Sequence, residues 1–243
     1  MPPPTIIHRP APDAVTYDLT TSNKVTITIP AGSAWSSGLH WHESHTEYLQ
    51  LIKGSIRVRL GDTVQVISAP ASADANAPPL EIRVNKGVWH EWSRADVNAD
   101  ADGGKDAEEV VVIERTDPAD GEKALFFWNL NGVILEAQRG VKPGFVPGWL
   151  GGIWVMLSLF SIFDALDNIP VFLGVRDKVV RRGFVGKGSM WDGFVKGLEG
   201  LWSKGVLRVA ATVVWMVGEG AVRRRFTPER EYAAWVDRKG ECL

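Results

Sequence analysis

The sequence predicts a mainly β protein, with an antiparallel barrel or sandwich in the first half of the chain and an α-helical appendage after it. Two observations support this prediction. The first half contains short segments rich in Val, Ile and Thr, in which apolar and polar residues alternate and between which turn residues lie. Near Gly132 the composition changes, and apolar stretches with helical spacing replace these segments.

The predicted strands are short and separated by turns, which is typical of antiparallel sheets. Ser55–Leu60 is the clearest, because its apolar residues alternate with two arginines, as in a strand with one buried face. Two polar stretches of low complexity, 69–79 and 95–108, are predicted to be loops. The predicted strands are Val15–Thr20, Lys24–Ile29, Glu47–Ile52, Ser55–Leu60, Thr63–Ser68, Leu80–Val84, Val88–Ser93, Glu109–Arg115 and Ala124–Leu130.

The second half is predicted to be helical. One helix begins near Pro147 and runs to about Leu166, and two more cover Met190–Lys204 and Val206–Val222. These elements divide the chain into a barrel over 15–131 and a helical appendage over 132–235, which we expect to act as a lid, a dimer contact or a membrane contact.

Composition narrows the class of protein. The chain has 243 residues and a net charge of −2, so its overall charge does not call for a nucleic-acid partner. Its one cysteine, Cys242, allows no intramolecular disulfide, which fits a reducing compartment. The N-terminal residues lack a basic region followed by a long apolar region. We therefore expect a cytoplasmic protein that is not secreted.

Potential metal ligands are concentrated in one stretch. His40 and His42 are two residues apart, so on a strand both side chains project from the same face. Glu47 follows, and His90 lies further along the chain after a Gly87 turn. Imidazole nitrogens together with a carboxylate are ligands that suit a divalent transition metal.

The spacing His40-x-His42-x4-Glu47-x6-Gly54, followed by Gly87-x2-His90, resembles the two motifs of the cupin superfamily. The resemblance covers about residues 24–116 and implies a small antiparallel jelly-roll barrel. It also implies that His40, His42, Glu47 and His90 bind one metal ion, commonly Fe, Mn, Zn or Ni. The chain departs from the family pattern only at turn positions, where Ala34, Asn85 and Arg94 replace the usual residues. The chain further resembles uncharacterised fungal cupin-domain proteins.

Residues near these ligands are candidates for catalysis. His45 lies between ligand positions and is either a hydrogen-bonding or acid/base group beside the metal or a solvent-facing residue. Glu47 is either a ligand or a nearby base. The ligands are flanked by tryptophans that either line an apolar substrate pocket or pack outward, namely Trp41, Trp89 and Trp92.

The resemblance implies a metal-dependent enzyme that acts on an apolar small molecule, as an oxygenase or as an isomerase or cyclase, in a natural-product pathway. The alternative is a non-catalytic, metal-containing binding or assembly protein. The nineteen uncharged residues Phe145–Phe163 are near the length of a membrane span, so contact of the C-terminal half with a membrane is a further expectation. Packing of this half on the barrel or in a homodimer is the other reading.

Overall fold

The computed structural model describes residues 2–21, 23–70, 80–95, 108–142, 144 and 146–240. Within these residues, eleven strands form two antiparallel sheets. The predicted loops at 69–79 and 95–108 fall almost entirely outside the described residues. The strands are β1 Ile6–Arg9, β2 Val15–Asp18, β3 Lys24–Ile29, β4 His40–Trp41, β5 Thr46–Lys53, β6 Ser55–Leu60, β7 Thr63–Ser68, β8 Glu81–Val84, β9 His90–Arg94, β10 Val110–Asp117 and β11 Ile169–Pro170.

The first sheet has the order β1-β2-β3-β10-β5-β8 and the second has the order β11-β4-β9-β6-β7. The alternation seen in the sequence matches burial: in β10, Val110, Val112 and Glu114 point inward and are buried. At the β5–β6 hairpin, Gly54 has φ 78°, and a Cβ there would lie 2.9 Å from the Glu109 carbonyl, so this turn requires glycine. The predicted fold class, an antiparallel jelly-roll barrel with a helical appendage, is confirmed.

One predicted strand is wrong. Residues 124–130 belong to helix α1, Glu122–Gln138. Ala124 to Asn129 are all buried, so the helix has no polar face at this point and its sequence lacks helical periodicity. A short, continuously apolar run of this kind does not distinguish a strand from a buried helix.

Four further helices follow: α2 Gly151–Ala165, α3 Val175–Arg181, α4 Met190–Met216 and α5 Glu229–Gly240. The two helices predicted over Met190–Lys204 and Val206–Val222 form one continuous helix through Gly205, which ends at Met216, before the predicted end at Val222. Strand β11, which lies between α2 and α3, pairs with β4 and so joins the C-terminal half to the barrel. The domain boundary at residue 131 stays a prediction.

Candidate metal centre

The four residues that the sequence singled out meet between the sheets. His40 lies on β4 directly opposite His90 on β9, while Glu47 lies on β5 of the other sheet and His42 follows β4. The side chains of all four are buried, and one ligand atom from each lies within 4.8 Å of the others. The structure thus brings together His40, His42, Glu47 and His90.

Backbone carbonyls fix the tautomers of the three imidazole rings. The Nδ1 atoms of His40 and His90 lie 2.8 and 2.9 Å from the carbonyl oxygens of Gly38 and Val88. The Nδ1 of His42 contacts the carbonyl oxygen of Asp167. Because a carbonyl oxygen only accepts, each Nδ1 carries the proton and each neutral ring has its lone pair on Nε2.

With these tautomers, the three Nε2 atoms and the Glu47 carboxylate all present lone pairs to one another, and none of the four residues carries a positive charge. The Nε2 of His90 lies 2.9 Å from Oε2 of Glu47, and two atoms with facing lone pairs repel unless a cation or proton lies between them. The Nε2 of His42 is buried, has no hydrogen-bond partner in the described part of the chain and lies 3.7 Å from Oε1 of Glu47. Three imidazole nitrogens and a carboxylate therefore fit a divalent transition metal.

Electrostatics keep these groups in the protonation states that metal binding requires. Burial, with the neighbouring His90 and His42, holds the pKa of His40 well below its usual value, so the ring is neutral. Burial also lowers the pKa of His42. Burial opposes ionisation of Glu47, but the positive charge of Lys123 together with the neighbouring His42 and His90 outweighs it and lowers the pKa of Glu47 well below the usual range.

Lys123 of α1 is a buried partner of the site that the sequence analysis did not identify. Its Nζ contacts Oε1 of Glu47 and lies 3.3 Å from Oε2 of Glu114, whose Oε1 accepts a 2.8 Å hydrogen bond from Trp92 Nε1. Burial raises the pKa of Glu114, although Lys123 opposes this. Glu114 has a signal in the sequence, since it is in phase with the buried Val112, whereas Lys123 directly precedes the segment 124–130 that was predicted as a strand.

Asp167, which follows α2, supports the site from the C-terminal half. Its carboxylate accepts backbone N–H bonds from Glu43, Ser44 and His45 at 2.7, 2.8 and 3.1 Å. Its carbonyl oxygen meets Nδ1 of His42, and its φ of 50° is in the left-handed region. Asp167 therefore fixes both the loop between the ligands and the orientation of the His42 ring. No motif in the sequence marks it.

His45 lies outside the four-residue cluster. Its ring is held between Asp120, at 3.0 Å from Nε2, and Asp167, at 2.7 Å from Nδ1. These two carboxylates raise the pKa of His45 to about 9, so its ring is protonated at neutral pH and can donate a proton but not accept one. Its catalytic role stays a prediction.

A cavity of about 250 Å³ adjoins the metal centre. His40 lines it, together with Lys123 and Glu114, and the aromatic and aliphatic side chains of α1 and α2 form an apolar wall. The flanking tryptophans do not line this cavity: Trp92 packs in the main core, while Trp41 and Trp89 form a separate cluster with Ile169 and Leu207. The residues of α1 and α2 that form the apolar wall of the cavity are Phe126, Phe127, Leu130, Ile134, Leu159 and Phe163.

No protein-family model matches the chain. A search of curated proteins also finds no match. Solved structures that resemble the chain include a cupin 2 domain-containing protein from Halorhodospira halophila, at 18% identity and a TM-score of 0.27 over 39% of this chain and 50% of that one. The chain thus spans half the length of that protein.

Two further solved structures are similar. A cupin 2 conserved barrel domain protein from Rhodopseudomonas palustris has 14% identity and a TM-score of 0.30 over 46% of this chain and 68% of that one. KdgF from Halomonas sp. has 12% identity and a TM-score of 0.29 over 46% of this chain and 84% of that one. Sequence identities and TM-scores this low say nothing about activity or substrate. The resemblance to fungal proteins stays a prediction. The strand order of the barrel and the meeting of its four ligand-type residues agree with the jelly-roll fold that the two sequence motifs predict.

Proposed function

We propose that the protein is a metal-dependent enzyme that acts on an apolar small molecule. One observation carries the proposal: His40 lines the cavity and also belongs to the cluster of three imidazoles and a carboxylate. His40, His42, Glu47 and His90 would hold the metal. When bound, a divalent transition metal supplies Lewis acidity or, as iron, redox chemistry.

The cavity favours an isomerase or cyclase over an oxygenase. Glu114 and Lys123 line it beside His40, so a carboxyl group and an ammonium group lie along the space that a substrate would fill. The Lys123 ammonium can stabilise negative charge that develops on a substrate oxygen, and Glu114 can move a proton. The apolar wall from α1 and α2 excludes water from the same space.

The first test is the metal content of protein purified without chelator. We expect about one first-row transition metal per chain, because the four ligands make one site. A His40→Ala, His42→Ala double variant should lose the metal, whereas His8→Ala should keep it. His8 is a matched control because its ring bonds to Thr16, away from the cluster. A wild-type protein that neither retains nor takes up Zn, Mn, Fe or Ni would contradict the proposal.

We also propose that the C-terminal half docks on an anionic membrane surface. Such docking would equally suit the alternative function, a non-catalytic binding protein. Both carboxylates of α4 are buried and face the protein, where Asp192 binds Arg176 and Glu199 accepts the backbone N–H groups of Val175 and Arg176. The opposite side of α4 exposes large apolar residues. These are Trp191, Phe194, Leu198, Leu201, Trp202, Val209, Trp215 and Met216.

Charge favours an anionic lipid surface as the occupant of this face. The three remaining charged residues of α4 are all cations, Lys196, Lys204 and Arg208, of which Lys204 pairs with Glu43 and the largely exposed Arg208 with Asp164. The segment before α4 exposes Phe184 near Arg181 and Arg182. An apolar face combined with basic residues is typical of helices that lie in the headgroup region of a bilayer. Exposed apolar patches of this extent are uncommon in proteins that remain monomeric in water.

Among the described residues, one stretch, Gly148–Ala165, is long and apolar enough to cross a membrane. It includes α2, which packs against α1 and α4 and whose buried Ser158 accepts a 2.8 Å hydrogen bond from Arg223. These contacts favour docking of the intact fold over insertion of α2 as a span.

Co-sedimentation with vesicles tests the docking. We expect binding to vesicles of phosphatidylcholine with phosphatidylserine, weaker binding without phosphatidylserine, and further weakening in high salt. A Leu201→Glu, Trp202→Glu variant should lose the binding. Val66→Glu is the matched control, because Val66 is also exposed but lies on β7 of the barrel. If wild type ignores vesicles and forms a dimer that the double variant breaks, a second copy covers this face.

A further inference from the structure

The cavity beside the metal centre has a second polar feature, at Arg9. Arg9 ends β1 and lines the cavity with Tyr17. The Nε of Arg9 is buried and has no hydrogen-bond partner among the described residues. The nearest carboxylate that pairs with it, Asp13, lies 3.9 Å from its Nη2. A buried N–H group without a partner is destabilising, so a ligand oxygen that accepts from it is favoured.

The Tyr17 hydroxyl adds a second donor. Trp35 Nε1 donates to the Tyr17 oxygen at 2.7 Å, and the Arg9 side chain is a second hydrogen-bond partner of that oxygen. Both partners only donate, so the O–H proton of Tyr17 remains available to a further acceptor. Burial raises the pKa of Tyr17 to about 12, although the charge of Arg9 opposes this, so the hydroxyl keeps its proton at neutral pH. A guanidinium N–H and a phenolic O–H therefore line the same cavity.

Away from the polar groups beside the metal centre, which include His40, Glu114 and Lys123, the rest of the cavity is apolar. Phe126, Leu130 and Ile134 of α1 and Leu159 and Phe163 of α2 form its apolar wall. At about 250 Å³, the volume is near the lower end of small-molecule sites. A molecule that satisfies both parts has a compact apolar body and one oxyanion.

We propose that the cavity binds an apolar monocarboxylate, with its carboxylate at Arg9 and Tyr17 and its body against α1 and α2. Two donors match the two oxygens of a carboxylate, and the guanidinium makes the bond charge-assisted. The inference rests on the proposed function, since it names the substrate class of that enzyme. It makes the end of β1 a specificity element, although β1 lies outside the two metal-binding motifs.

The test compares matched ligands on the full-length protein by isothermal titration calorimetry, with bound metal and after chelation. Cinnamate and phenylbutyrate are the acids, and their primary amides are the neutral controls. We expect each acid to bind at least about tenfold more tightly than its amide, with or without metal. Arg9→Gln should abolish this preference. Arg57→Gln should preserve it, because Arg57 is exposed and pairs with Glu91 outside the cavity.

Thermal unfolding must show that Arg9→Gln is folded. Tyr17→Phe provides a second variant, in which the preference for the acid should fall but persist. Equal binding of acid and amide, an unchanged preference in Arg9→Gln, or no binding of any probe to the wild type overturns the inference. These results are independent of the metal-content measurement, so failure of the proposed metal centre and failure of carboxylate binding can be told apart.

Discussion

Lys123→Met is expected to lower the free energy of unfolding of the metal-free protein by about 3 to 5 kcal/mol, the usual cost of removing one partner from a buried ion pair. Lys123 neutralises two carboxylates, Glu47 and Glu114, which are 1% and 4% exposed. Methionine has nearly the same volume, so the loss reflects charge and hydrogen bonding more than packing. Urea unfolding, followed by tryptophan fluorescence, measures the effect.

Added metal should reduce the loss of stability in Lys123→Met, because a bound cation neutralises the Glu47 carboxylate in place of Lys123. Lys53→Met is the matched control: Lys53 pairs with Glu108 and Glu109 at the surface, and we expect less than about 1 kcal/mol. A Lys123→Met, Glu114→Gln double variant should recover part of the stability, since one unpaired carboxylate is removed. Equal stabilities for the Lys123 and Lys53 variants would contradict the role assigned to Lys123.

Asp167→Ala is expected to weaken metal binding by about 10- to 100-fold, the range typical for groups that orient metal ligands. The substitution leaves the backbone N–H groups of Glu43, Ser44 and His45 without their acceptor. It also places alanine at a positive φ, which an L side chain disfavours. Both effects make the position of the residue 167 carbonyl oxygen, which accepts from Nδ1 of His42, less well defined. Titration against a competing chelator measures the affinity.

Asp164→Ala is the control for this prediction, because Asp164 lies three residues earlier and pairs with Arg208 instead of the ligand loop. Asp167→Asn should fall between the two, since asparagine tolerates positive φ and retains an acceptor oxygen. An affinity that is unchanged in Asp167→Ala would show that the His42 ring is oriented without this residue.

The sequence was sufficient to predict most barrel strands, because apolar and polar residues alternate along them. Lys24–Ile29 and Ser55–Leu60 begin and end as predicted and alternate in burial, and Thr63–Ser68 also begins and ends as predicted although it is largely exposed. The clustering of the four ligand-type residues was also predictable, since it depends on residue type and spacing in two motifs. The bound metal, the reaction and the substrate remain proposals.

The supporting residues could not be predicted, because their positions depend on contacts between distant parts of the chain. Asp167 lies 125 positions from His42 and carries no motif. Strand β11 has only two residues, one of them proline, and is recognisable only by its pairing with β4. Lys123 belongs to α1, whose all-round burial removed the periodicity that identifies a helix.

The pairing of β11 with β4 has a consequence for synthesis of the protein. All four ligand-type residues precede residue 91, but the carbonyl that orients His42 and the strand that covers His40 come from residues 167–170. Because chains emerge from the ribosome N-terminus first, the barrel sequence is available long before the site is complete. Under the proposed function, a metal would therefore meet its ligands in their final geometry only after the C-terminal half has folded. A prematurely terminated chain would contain all four ligand-type residues without the groups that support them.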